Sequence, residues 1–278
     1  MRIRRLGRDL LRYAATVQGW GLVFVLTLWH GLVWLPPTLL LAGRWPRWRE
    51  RFADATHRAL AFYFRHVWYM RIEVEHAERR RAGPRVVVAN HQSWLDPLVL
   101  MALEPRLAGP VRRYMLGVPL FGRIVRLAGF FQSDIGELPS LDAMHAAVVT
   151  ARARGGSLLF FPEGTRSAGV ALGAFHRGAF RTAYDHALPI QPIVIDGLDR
   201  VLPRHGPVVQ TDGRYPVRVR WLAPIEPPFG DGLRRDVVRG LAARARDAIA
   251  AERDAMRKRR DAEEGSRRLG KRRDAEEG

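Results

Sequence analysis

The sequence predicts an α/β fold, a mostly parallel sheet flanked by helices and preceded by an N-terminal membrane-associated helical segment. Three observations carry that expectation. From Arg71 to Leu222, short β-branched and aromatic runs alternate with stretches of helical periodicity, the pattern of strands joined by crossover helices. Two of those runs, at Val86 and Ser157, end abruptly in polar turns. Between Tyr13 and Gly43 there is no Asp, Glu, Lys or Arg, a charge-free length sufficient to enter a bilayer.

That apolar run is flanked on both sides by arginine: Arg2, Arg4, Arg5, Arg8 and Arg12 before it, Arg44, Arg47, Arg49 and Arg51 after it. A single span concentrates basic residues at its cytoplasmic end, so two similar flanks place both ends, and the site they lead to, on the cytoplasmic face. A re-entrant hairpin turning at Gly31 or at Pro36 and Pro37 fits this better than one tilted helix from Tyr13 to Leu35. An arm of about 14 residues at about 1.5 Å per residue reaches roughly 20 Å, one leaflet rather than two. Trp20, Trp29, Trp34, Trp45 and Trp48 suit interfacial anchoring in either arrangement. From Arg47 to Met70, Trp48, Phe52, Ala55, Ala59, Phe62 and Tyr69 recur at helical spacing, an amphipathic helix suited both to the membrane surface and to packing on the following domain.

Strands are expected at Arg71–Glu75, at Val86–Val88, from Ser157 to Phe161, from Ile190 to Ile195 and from Val217 to Leu222. Helices are expected after the first polar turn through Met101, stopping before Pro105, then over Arg123–Phe131, over Leu141–Arg154 with Gly155 and Gly156 as its stop, and over Phe175–His186. From Asp231 a helix carries Leu233, Val237, Leu241, Ala245 and Ile249 at steps of four, with an arginine-rich outer face. Beyond it, KRRDAEEG occurs at Lys258–Gly265 and again at Lys271–Gly278, too polar to build a core and expected to be disordered. The divisions are therefore 1–70 for the membrane segment with its amphipathic helix, 71–230 for the α/β domain, 231–257 for the basic helix and 258–278 for the tail.

Composition narrows the chemistry. With 278 residues and 47% hydrophobic content, the chain can bury a sizeable core. The absence of cysteine excludes disulfides, thiolate metal sites and a thiol acyl-enzyme, and no other metal-ligand pattern replaces them. Forty-six Lys and Arg against 28 Asp and Glu leave a charge of +18, which calls for an anionic surface as partner. The charge-free run favours lipid over nucleic acid, and no nucleic-acid partner is expected.

The first polar turn holds Asn90, His91 and Asp96 at a strand's carboxyl end, where open α/β sheets bind ligands. A neutral imidazole there can take a proton from a hydroxyl, and a carboxylate on its other nitrogen fixes the tautomer and steadies the imidazolium. Asp96 followed by Pro97 is also the pattern of a helix N-cap with proline at the first helical position. The second turn offers Glu163, Gly164, Thr165 and Arg166. A guanidinium beside small residues and hydroxyls suits a phosphate, while glycine lets backbone amides approach. An ordinary loop with a solvated Glu–Arg pair would read the same in isolation.

Taken together, NHQSWLD at Asn90–Asp96 and FPEGTRS at Phe161–Ser167 resemble the 1-acyl-sn-glycerol-3-phosphate acyltransferases and their glycerolipid relatives. GVPLFG at Gly117–Gly122, FHRGAF at Phe175–Phe180 and LPIQPIVI at Leu188–Ile195 look like further blocks of that family, in order, over roughly Arg71 to Pro228. The resemblance implies transfer of a fatty acyl group from acyl-CoA or acyl carrier protein to the free hydroxyl of a lysophospholipid, with no cofactor beyond the thioester donor. It makes His91 and Asp96 catalytic. It assigns Glu163, Gly164, Thr165 and Arg166 to the acceptor, with Arg112 and Arg113 assisting. Lysophosphatidate is the first expectation for the acceptor. One block departs from the family: GFFQSDIG at Gly129–Gly136 closes without its usual arginine. That keeps another lysolipid, such as a lyso-ornithine lipid, in view, alongside a non-enzymatic basic membrane- or nucleic-acid-binding protein.

Overall fold

The structure is a computed structural model that describes residues 2–41, 45, 47–133, 141–166, 171–203, 206–210, 213–228 and 234–276. Helix α1 (Arg2–Trp29) passes through a π-helical turn at His30–Trp34 into α2 (Leu35–Leu41), and α3 (Arg47–His66) follows. Then come β1 (Met70–Glu75), a 3-10 turn at Ala77–Arg79, β2 (Val86–Ala89), α4 (Asp96–Leu103), β3 (Leu107–Ala108), β4 (Pro110–Val111), α5 (Arg113–Gly117), α6 (Phe121–Leu127) and β5 (Phe131–Gln132). The chain continues with α7 (Leu141–Ala153), β6 (Ser157–Phe160), α8 (Gly178–Asp185), β7 (Ile190–Asp196), α9 (Leu198–Val201), β8 (Tyr215–Trp221) and α10 (Arg234–Glu276).

Among the described residues six strands form one sheet in the order β1-β8-β7-β2-β6-β3, parallel throughout except for the β7–β8 pair. The valine run explains the centre. Val86 and Val88 enter one apolar cluster with Leu158, Phe160 and Val194, whereas Val87 and Ala89 enter the opposite one with Leu159, Ile193 and Ile195. Successive side chains leave a strand on opposite faces, so a strand covered on both sides must be apolar at every position. Helices α3 and α4 cover the first-motif side with Phe64, Val99 and Leu100, and α7, α8 and α10 cover the other with Val148, Phe180 and Leu241.

Several boundaries differ from expectation. The helix expected over Arg123–Phe131 stops at Leu127, because Gly129 takes a positive φ of 102° and Phe131 donates its amide to Gly109 O at 3.1 Å, opening β5 beside β4. Strands β3 to β5 are two residues each, too short to leave a periodic signal.

The expected hairpin turn at Gly31 or Pro36–Pro37 is absent: the described backbone is helical from Arg2 to Leu41. Pro36 and Pro37 follow directly on the π-helical turn His30–Trp34, a local widening of the ladder next to the two amides that proline lacks, and the helix runs on past them. Gly31 serves a contact instead. A Cβ there would lie 2.4 Å from Leu120 Cδ1, so a larger residue would require the leucine side chain to move. Leu120 itself has φ 62° and ψ −58°, with Phe121 N donating to Pro119 O at 2.7 Å, the rare and strained form of γ-turn. The chain does double back, but later. Gln18 Nε2 donates to His66 O at 3.3 Å, and His30 meets Phe52 edge-on at 5.8 Å, so α3 runs antiparallel to the apolar rod and the reversal falls between α2 and α3.

The tail is a second correction. Lys258–Gly265 continues α10 and is pinned to the sheet: Arg260, 4% exposed, reaches Asp196 at 2.7 Å, Glu263 pairs with Arg218, and Glu264 accepts from the Tyr215 hydroxyl at 2.8 Å. Burial pushes the Asp196 carboxyl above its ordinary range, and the Arg260 guanidinium opposes that shift. A segment without apolar content is thus held by buried and half-buried ion pairs rather than by a hydrophobic stripe.

Candidate active site

Register decides which turns can meet. β2 and β6 are adjacent and parallel, with Val88 opposite Phe160. His91 follows Val88 by three residues and Glu163 follows Phe160 by three, so both polar turns leave the same edge of the sheet side by side. The His91 amide donates to Glu163 Oε1 at 3.1 Å, and Gly173 N donates to Oε2 of the same carboxylate at 3.2 Å. On the other flank, Asn90 exchanges two hydrogen bonds of 2.9 Å with the main chain of Ile195 on β7.

Within the first turn, His91 Nδ1 lies 2.7 Å from Asp96 Oδ2. An ionised carboxylate only accepts, so Nδ1 carries the proton and the lone pair resides on Nε2. Asp96 is fully buried, and the same Oδ2 also accepts from the amides of Gln92 and Ser93. These bonds replace the expected N-cap. Leu95 occupies that position without a side-chain bond, and Asp96 opens α4 with its carboxylate turned back onto the preceding turn. Phe161 stacks on the imidazole, with ring centroids 4.3 Å apart and planes at 22°. The His91 side chain keeps 21% exposure, so a ligand can reach the ring.

In the second turn Gly164 adopts φ 69°, and a Cβ there would press within 3.0 Å of the His176 ring. Thr165 is exposed and Arg166 half-buried. The Arg166 guanidinium carbon sits 4.6 Å from the centroid of the Trp94 ring. Trp94 in turn meets Tyr114 of α5 edge-on at 6.3 Å, the helix that Arg112 precedes and Arg113 opens. Glu163, expected among the acceptor-binding residues, is buried, and its carboxylate accepts the main-chain amides of His91 and Gly173. The departure at Gly129–Gly136 lies partly outside the described residues. Sequence reasoning missed the parts played by Asn90, Trp94, Tyr114 and Phe161. Trp94 alone left a signal, being a large aromatic in an otherwise polar turn.

A sequence profile described as Acyltransferase matches residues 71–196. The mouse 1-acyl-sn-glycerol-3-phosphate acyltransferase alpha is 30% identical over 195 residues, covering 69% of this chain and 67% of that protein. The chloroplastic enzyme LPAT1 of Arabidopsis thaliana is 29% identical over 196 residues, covering 67% of this chain and 50% of its own. The chain spans about half the length of its chloroplastic relatives. In fold it resembles the crystal structure of the 1-acyl-sn-glycerophosphate acyltransferase PlsC from Thermotoga maritima, with a TM-score of 0.64 at 20% identity, over 86% of this chain and 96% of that one. With its ordered blocks gathered at one sheet edge and these relatives alongside, the chain belongs to the 1-acyl-sn-glycerol-3-phosphate acyltransferase family.

Proposed function

We propose that the protein moves a fatty acyl group from a thioester, acyl-CoA or acyl carrier protein, to the free hydroxyl of lysophosphatidate, giving phosphatidate. The observation that carries this reading is the 3.1 Å bond from the His91 amide to Glu163, which makes the base-bearing turn and the arginine-bearing turn one site. His91 Nε2 takes the acceptor's hydroxyl proton as the oxygen attacks the thioester carbonyl carbon. The new C–O ester bond forms and the C–S bond breaks. The imidazolium, steadied by Asp96, returns the proton to the departing sulfur, so the products are an ester and a free thiol. Arg166 receives the acceptor phosphate, with Arg112 and Arg113 as further cations at the mouth, one of them available to the developing oxyanion.

The N-terminal rod supports a membrane setting. Leu6–Leu41 is long and apolar enough to cross a bilayer by length and composition. Its inner face, however, is docked: Val209 N donates to Thr16 Oγ1 at 3.0 Å and Trp20 Nε1 to Pro207 O at 2.8 Å. Leu10, Tyr13, Val17, Phe24, Leu28 and Leu32 face outward and exposed, and each such side chain gains about 1.5–3 kcal/mol on entering an apolar phase. In this reading the rod lies along the cytoplasmic leaflet with its outer face immersed and the site at the surface.

The test uses full-length protein in anionic vesicles with both thioester donors. His91→Ala lowers turnover roughly 10²- to 10⁴-fold while vesicle binding and thermal unfolding stay unchanged. Retained turnover removes His91 from the role of base. The missing closing arginine favours one second reading, an acceptor with a different head group. Faster acylation of lyso-ornithine lipid than of lysophosphatidate would establish it.

A further inference from the structure

Trp94 stands apart within its own turn. Asn90, Gln92, Ser93, Leu95 and Asp96 are all buried, and three of their side chains have inward tasks: Asn90 on Ile195, Ser93 Oγ on Leu202 O at 2.8 Å, and Asp96 on His91. Trp94 is 37% exposed, an indole held in solvent at the edge of the site. Its ring has one neighbour on its face and one at its edge, Arg166 at 4.6 Å and Tyr114 at 6.3 Å and 82°. A guanidinium over an indole is attracted by the ring's negative face, and that contact restricts a long side chain.

We propose that Trp94, buttressed by Tyr114, is the positioning residue that holds Arg166 toward the acceptor, and so sets the affinity for a phosphate-bearing head group. This rests on the proposed acceptor site and adds to it. Arg166 is the ligand and Trp94 acts through it. The base-bearing turn thereby contributes to acceptor binding as well as to proton transfer, because the indole projects from the same six-residue loop as the imidazole.

The experiment measures steady-state kinetics of the full-length protein in vesicles against lysophosphatidate and against monoacylglycerol, which lacks the phosphate. Trp94→Ala raises KM for lysophosphatidate about three- to tenfold with kcat unchanged, leaves monoacylglycerol kinetics unchanged, and is largely rescued by Trp94→Phe. In an Arg166→Ala background the same substitution adds nothing further. The inference is overturned if Arg166→Ala raises KM and Trp94→Ala does not, if Trp94→Ala lowers kcat for both acceptors alike, or if the two effects add. If Arg166→Ala itself leaves lysophosphatidate kinetics untouched, the phosphate-site reading fails first and the shelf falls with it.

Discussion

The two turns at the end of the sheet are built on opposite plans. Around His91 nearly every side chain is buried, one carboxylate oxygen satisfies two amides and an imidazole, and Glu163 in the turn after β6 and Ile195 on β7 lock the loop from either side. Around Arg166, Gly164 and Thr165 are exposed, and the guanidinium rests on an aromatic face. The contrast separates two demands. A proton-transfer base must stay within hydrogen-bond reach of one atom throughout the reaction. Head-group binding needs one guanidinium held toward the anion, here by the Trp94 ring, while the loop that carries it can stay open to solvent. Rigidity is concentrated where displacement would stop chemistry, and adaptability where it would alter only affinity.

Substitutions that break the rigid turn should therefore appear in kcat, and those in the adaptable turn in KM. The largest effect is expected from Asp96→Asn, which keeps the shape but puts a neutral amide where the imidazolium needs a carboxylate. Turnover should fall about 10³-fold, with acceptor KM within about twofold, as judged by initial rates over a lysophosphatidate series. A selective rise in KM would contradict the contrast. Glu163→Gln sits between the two plans, because its carboxylate stands in the second turn and receives the His91 amide from the first and the Gly173 amide from the segment beyond. One of its two oxygens becomes a donor facing a backbone N–H, so one hydrogen bond is lost. A drop in kcat/KM of about tenfold, equivalent to about 1.4 kcal/mol, shared between kcat and KM, is the expected result. An effect confined to one parameter would mean that the carboxylate serves one turn alone.

How much of this could be read in advance depended on distance along the chain. The central strands and the His91–Asp96 pair announce themselves, because a VVV run and a five-residue spacing are local. The meeting of His91 with Glu163 depends on β2–β6 register across 72 residues, and nothing local encodes that. The rod shows the opposite failure. Gly31 and Pro36–Pro37 carry strong turn signals, yet Gly31 is packed against Leu120 and the prolines are taken up beside a π-helical turn, and the helix continues. In the tail, the KRRDAEEG composition argues against order until Asp196, Arg218 and Tyr215 supply partners from strands remote in sequence. Local propensity was overruled in each case by a partner that only the tertiary fold provides.

The smallest effect is expected from Arg166→Lys, and it is the one that tests the adaptable plan most closely. Charge is retained, so long-range attraction of the acceptor is unchanged. What is lost is the planar fork that matches two phosphate oxygens, together with the guanidinium's contact over the Trp94 ring, because an ammonium is a compact point charge. KM for lysophosphatidate should rise only about three- to fivefold, the equivalent of up to about 1 kcal/mol, with kcat unchanged because His91 and Asp96 are undisturbed. Raising the ionic strength should widen the gap between the variant and the unaltered protein, since a solvated ammonium is screened more than a stacked guanidinium. A loss of kcat in Arg166→Lys would mean that the second turn positions the reacting hydroxyl as tightly as the first positions the base, and the division between rigid and adaptable turns would not hold.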